Sequence, residues 1–126
     1  MSSTPPPAQA PLVLVRTKEA YRTWLALVVQ VPRIDGNTIG IKIDELFLSL
    51  LERIYAACFA SEKFERLANI SDAIVKSDLL RFLLQLAWEQ KILDHTRYGT
   101  LILQLDEVGR MLGGWKRMVT NKTPAR

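Results

Sequence analysis

From Leu101 to Val119 the apolar residues Leu101, Leu105, Val108, Leu112, Trp115 and Val119 recur at steps of four, three, four, three and four. This is a heptad-like seam, and such a seam buries itself against near-parallel helices at a shallow crossing angle. A chain that carries it is committed to packing helix on helix. The rest of the sequence agrees. Tyr21, Trp24, Leu25, Val28 and Val31 recur three and four apart, with Leu25 beside Trp24. Ile43, Phe47, Leu50, Ile54 and Cys58 trace one face of a second helix. No stretch alternates with period two, and no hairpin signal separates alternating runs. The chain is therefore expected to be all-α, with four helices and short links in an up-down-up-down bundle.

Proline and turn residues set the expected boundaries. Pro5, Pro6, Pro7 and Pro11 cannot enter a helix interior, so residues 1–16 read as a disordered or polyproline-like leader. The first helix is expected from Thr17 as its N-cap and is stopped by Pro32. Arg33 to Thr38 reads as a connection, with Asp35-Gly36-Asn37 as turn chemistry. The second helix is expected to start between Thr38 and Ile43 and to end near Ala60 or Ser61. Ser61 is the expected cap of the third helix, with Glu62 and Glu65 in its first turn. That helix runs to about Trp88 or Lys91, and Thr96 is the expected cap of the fourth. The bundle then covers residues 17–120, and 121–126 form a flexible basic tail.

The second half of the third helix, Leu79 to Trp88, is apolar almost all the way round. A helix on the outside of a four-helix monomer needs only one apolar stripe. The surplus calls for cover on more than one side, either from another subunit, which a chain this short favours, or from a central place deep inside a monomer. Gly109 and Gly113 interrupt the fourth helix at a cost of about 1 kcal/mol each. Close approach of a backbone or a bulky ring is the expected reason for them.

Residues suited to catalysis are scarce. His95 is the single histidine and Cys58 the single cysteine, so a His/Cys zinc site cannot be assembled. Lys42 followed by Ile43 fails the phosphate-loop pattern. Asp44-Glu45 and Asp106-Glu107 are neighbours on helices, and neighbours splay by about 100° instead of converging on a substrate. Neither an enzyme, a metal nor a cofactor is expected. One cysteine also excludes an intrachain disulfide. No window reaches the roughly 18 apolar residues of a membrane span, and the N-terminus lacks a signal-peptide pattern. A cytoplasmic protein with no membrane partner is expected.

The formal net charge is +4 and the sequence pI is near 9.5, which favours acidic partners. Arg110, Lys116, Arg117, Lys122 and Arg126 follow Val108 with no Asp or Glu among them. Arg110 and Arg117 are two helical turns apart, about 10.5 Å, on the side opposite the seam. The helix dipole suffices to explain Lys122, but not Arg110, which lies well inside the helix. Neutralising phosphates explains the whole stripe. Arg81, set among Leu79, Leu80, Phe82 and Leu83, has three readings. It snorkels to solvent, pairs with an acid across an interface, or serves a partner-binding surface.

Residues 105–119 read LDEVGRMLGGWKRMV. Together with Pro32-Arg33 and Leu80-Arg81-Phe82, this resembles the accessory variability determinant proteins of diversity-generating retroelements. That family lies within a wider group of bacterial four-helix-bundle proteins that includes those encoded in ribosomal RNA intervening sequences. The resemblance covers roughly residues 17–120. It implies a ring-like homopentamer of four-helix protomers without catalytic activity. It also implies binding to a reverse transcriptase and to RNA or DNA, in support of mutagenic reverse transcription; the positive field of five such protomers would bind nucleic acid without sequence preference. Carried over residue by residue, Arg33, Arg81 and Arg110 become candidate contacts. Lys116, Arg117 and Lys122 join them on charge, while Gly109, Gly113 and Trp115 are assigned to packing. The alternative is a structural bundle associated with ribosomal RNA or another protein, without a reverse transcriptase.

Overall fold

The computed structural model describes residues 12–31 and 38–121. They form four helices: α1 (Leu12–Val28), α2 (Thr38–Cys58), α3 (Lys63–Glu89) and α4 (His95–Asn121). Each helix packs against its neighbours in chain order, and α1 closes the bundle by packing on α4. The backbones of the diagonal pairs stay apart, and the main core runs up the middle of an up-down-up-down bundle, with a smaller buried group of Ala57, Ile70 and Val119 beside it.

α1 begins at Leu12, directly after the last proline of the leader and five residues before the expected cap. Val13 is the reason. It is 2% exposed and adds a core turn ahead of Thr17, Ala20, Trp24 and Leu27. Thr17 is a buried mid-helix residue whose hydroxyl donates to the Val13 carbonyl at 2.7 Å. Leu25, expected on the core side, is 47% exposed, because the buried stripe steps through Trp24 and Leu27 and passes it by.

α2 buries Ile43, Phe47, Leu50 and Ile54 as its spacing predicts, and Cys58 is half-buried at its end. Trp24 lies over Phe47 with ring centroids 6.2 Å apart, and Tyr21 meets the same ring at 5.4 Å. Asp44 joins this cluster by accepting from the Tyr21 hydroxyl at 3.1 Å and from Trp24 Nε1 at 3.2 Å. Burial and the neighbouring Asp44 carboxylate raise the Tyr21 pKa above its ordinary value.

Glu62, not Ser61, occupies the N-cap of α3, and its side chain makes no capping bond. The junction is held instead by Arg66, which donates to the Ala57 carbonyl at 2.9 Å and the Ala60 carbonyl at 2.6 Å. A cation thus satisfies the open carbonyls at the end of α2. α3 ends in a Schellman turn: Ile92 N–H reaches the Ala87 carbonyl at 2.8 Å, and Lys91 takes a positive φ of 64°.

Asp94, not Thr96, caps α4. Its Oδ1 accepts from the Arg97 N–H at 2.8 Å, and its Oδ2 pairs with the Arg97 guanidinium. That backbone bond is the main cause that holds the Asp94 pKa below its ordinary value. His95 is the first residue of α4, not a loop residue. Leu101, Leu105, Val108, Leu112 and Val119 are buried as the seam predicts, and Trp115 packs at its edge. α4 continues to Asn121, one residue beyond the expected end of the bundle.

Candidate partner and nucleic-acid surface

Two surfaces stand out once the core is closed. The first is the outer side of α3. Its buried residues, Ile70, Ala73, Ser77, Leu80, Leu84 and Ala87, occupy one face. The opposite face carries Phe64, 85% exposed, then Val75 at 61%, Leu79 at 40% and Phe82 at 59%. Steps of four and three from Val75 through Leu79 to Phe82 keep these on one line. α3 therefore has two apolar faces, and the core of its own protomer covers one of them.

The second surface is the outer side of α4. Arg110, Lys116 and Arg117 are all exposed. None of the three forms an ion pair among the described residues. Arg117 lays its guanidinium back over Gly113 and Gly114, where an added Cβ would lie 3.7 and 3.8 Å from its nitrogens. Of the remaining sequence-predicted contacts, Arg33 and Lys122 lie outside the described residues.

Arg81 sits where the two surfaces meet. It pairs with acids of its own protomer: Nη1 lies 2.9 Å from Asp106 on α4, and Nη2 lies 2.7 Å from Asp78 one turn earlier on α3. The hydrogen bond to Asp106, then that to Asp78, push the guanidinium pKa up. Its Nε is buried without a hydrogen-bond partner, as is Ser77 Oγ on the same helix. Ser77 and Arg81 line a cavity of about 410 Å³ with Ile74, Asp78, Asp106, Gly109 and Arg110. A second hollow of about 320 Å³ shares Asp78, Arg81 and Asp106 and is walled by Phe82, Gln85, Tyr98 and Ile102.

The glycines do not serve the purpose expected of them within the protomer. A Cβ on Gly109 would lie 3.9 Å from Arg81 Cζ, which is ordinary contact, and no ring or backbone of another helix comes within 4 Å. The carboxylate pair at 106–107 does splay as expected. Asp106 turns to Arg81 on α3, while Glu107 turns to Arg16 on α1 at 3.5 Å. The i,i+3 spacing of Asp78 and Arg81 was visible in the sequence, whereas the pairing of Arg81 with Asp106 needed the register of α3 on α4.

Among the described residues no group of three or more His, Cys, Asp or Glu could hold a metal ion. No described helix is long and apolar enough to cross a membrane. The profile of a family described as bAvd-like matches residues 12–119. No curated protein matches the chain.

Proposed function

The chain belongs to the bAvd-like family, and from that premise we propose that it is the non-enzymatic accessory protein of a diversity-generating retroelement. In this reading it binds the reverse transcriptase together with RNA or DNA and supports mutagenic reverse transcription in the cytoplasm. The observation that carries the reading is the α4 surface. Arg110, Lys116 and Arg117 form an exposed cationic face with no carboxylate partner among the described residues. A face of this kind binds phosphates by releasing counterions, so it takes RNA or DNA without reading bases.

The second apolar face of α3 supports assembly of the chain with itself, as a homopentamer. Five copies at +4 each would concentrate the positive field and strengthen its pull on a polyanion. Arg33 and Lys122 belong to the proposed contact set on sequence alone. Arg81 belongs to it as a partner contact more than a phosphate contact, since Asp78 and Asp106 already offset its charge.

Fluorescence anisotropy with a labelled single-stranded RNA and the matching DNA, over a salt series, tests the reading. Affinity should fall steeply as salt rises. Arg110→Glu with Arg117→Glu should weaken binding to all sequences alike, and each lost phosphate contact should flatten the log–log salt slope by about 0.7 to 0.9. Binding that ignores salt, or that survives the double charge reversal unchanged, would overturn it.

A further inference from the structure

We propose that Phe64 stacks an unpaired base of the strand whose phosphates Arg110 and Arg117 hold, so that this surface takes single-stranded RNA or DNA by its bases as well as its charge. The inference rests on the nucleic-acid reading above and adds a contact that a duplex does not offer. Phe64 is 85% exposed, more than any other large apolar side chain among the described residues. The core does not use it. It also stands apart from the Val75–Leu79–Phe82 line, which begins about three turns later. Between them the outer positions of α3 are held by Ala68, Ser71 and Asp72, which are small or polar.

Helix geometry brings Phe64 to the cations. Phe82 walls the hollow between α3 and α4 together with Tyr98 and Ile102 of α4. Phe64 precedes Phe82 by about five complete turns, so it shares that azimuth and fronts the same flank. On α4, Arg110 lines the cavity it shares with Arg81 of α3, and Arg117 follows about two turns later on nearly the same side. Both arginines are exposed and neither forms an ion pair among the described residues. The two helices run antiparallel, and Lys63 Nζ donates to the Thr120 carbonyl at 3.3 Å. The first turn of α3 therefore lies against the last turn of α4, with Phe64 and Arg117 at the same end of one flank. Packing fixes that end, because Val119 is buried with Ala57 and Ile70. Glu62 sits at the N-cap, and Glu65 is rotated about 100° beyond Phe64, away from the α4 that Lys63 faces.

Cation and ring have separate uses. Phosphate contacts neutralise charge in single strands and duplexes alike and carry no sequence information. An exposed ring beside them adds a surface that an unpaired base can cover and a paired, stacked one cannot. Every base has a flat π-face, so the contact tolerates any sequence. Phenylalanine has no polar handle, so its contribution is stacking and not the reading of base edges.

The test is fluorescence anisotropy on the full chain with three probes of equal length: a single strand, made as RNA and as DNA, its duplex, and an abasic single strand. Phe64→Ala and Phe64→Leu should each weaken the single strand at least about five-fold. Both should leave the duplex and the abasic strand unchanged, which also verifies that the variants fold. Phe64→Trp should restore the single strand, and the salt slope should stay as it was, since no phosphate contact is lost. Light scattering should give Phe64→Ala the same mass as the native chain. A lower mass would make Phe64 a contact between copies and overturn the proposal, as would an equal loss on all three probes. No loss on the single strand, with salt-dependent binding intact, would overturn this inference and leave the reading above standing. Absence of binding to every probe would remove both.

Discussion

Two polar clusters sit at helix–helix seams of this bundle, and they are finished to different degrees. Between α1 and α2, Asp44 takes hydrogen bonds from Tyr21 and Trp24, and the rings pack on Phe47. Between α3 and α4, Arg81 ties Asp78 to Asp106 but leaves its Nε unpaired, with Ser77 Oγ unpaired beside it. Buried polar groups cost stability when they lack partners. The first cluster is thus part of the fold. The second holds capacity that the protomer itself does not use, and it lies next to the exposed apolar line of α3 and the free cations of α4.

The largest expected effect falls on the finished cluster. Trp24→Ala removes a side chain that is 1% exposed and strips Asp44 of a donor. It should cost about 3–5 kcal/mol in urea unfolding. If it costs less than 1 kcal/mol, the two clusters are not different in kind. Asp106→Asn breaks an ion pair whose side chains are 35% and 39% exposed. Solvent screening limits the loss to about 1 kcal/mol or less.

The positions of the unfinished cluster that make no bond should respond in the opposite direction. Gly109→Ala places a Cβ in ordinary contact with Arg81, so the gain in helix propensity should stabilise the isolated protomer by up to about 1 kcal/mol. Ser77→Ala removes an unpartnered hydroxyl and should be neutral or slightly stabilising. Loss of stability in both would show that the cavity lined by Ser77 and Arg81 is a structural element after all. Thermal melts of the two variants decide this.

The smallest effects lie at the α3–α4 turn. Lys91→Gly relieves a left-handed backbone at φ 64° and should stabilise by up to about 1 kcal/mol. Asp94 has a lowered pKa in the folded chain. Its contribution is therefore present above its ordinary carboxylate value and is lost as pH falls through the folded one. The difference in melting midpoint between the native chain and Asp94→Asn should shrink as pH drops from about 5 to about 2.

Much of this was legible in the sequence where periodicity carries the information. The α2 face and the α4 seam bury the residues their spacing marks, because an i,i+3/i+4 pattern fixes a face regardless of what lies opposite. Helix ends were less legible. Thr17 and Thr96 have cap chemistry, but Val13 finds core to fill ahead of one, and Asp94 captures the Arg97 N–H ahead of the other. The site was legible in part. Arg110 and Arg117 lie exposed opposite the seam as their spacing requires. The Arg81–Asp106 bond depends on how α3 registers on α4, and no local pattern encodes that. The glycines misled because their cost is intrinsic to the helix, whereas the space around them is set by side chains such as Arg81 and Arg117 that no spacing rule places.

The proposed assembly depends on the exposed apolar face of α3 being the surface that a second copy would cover. The direct measurement is solution mass by light scattering, at low and high salt, for the native chain and for Phe82→Asp. The account predicts a stable assembly of about five times the 14.3 kDa chain mass at both salts, and dissociation on placing a charge at Phe82. A native chain that stays monomeric at every concentration would contradict it.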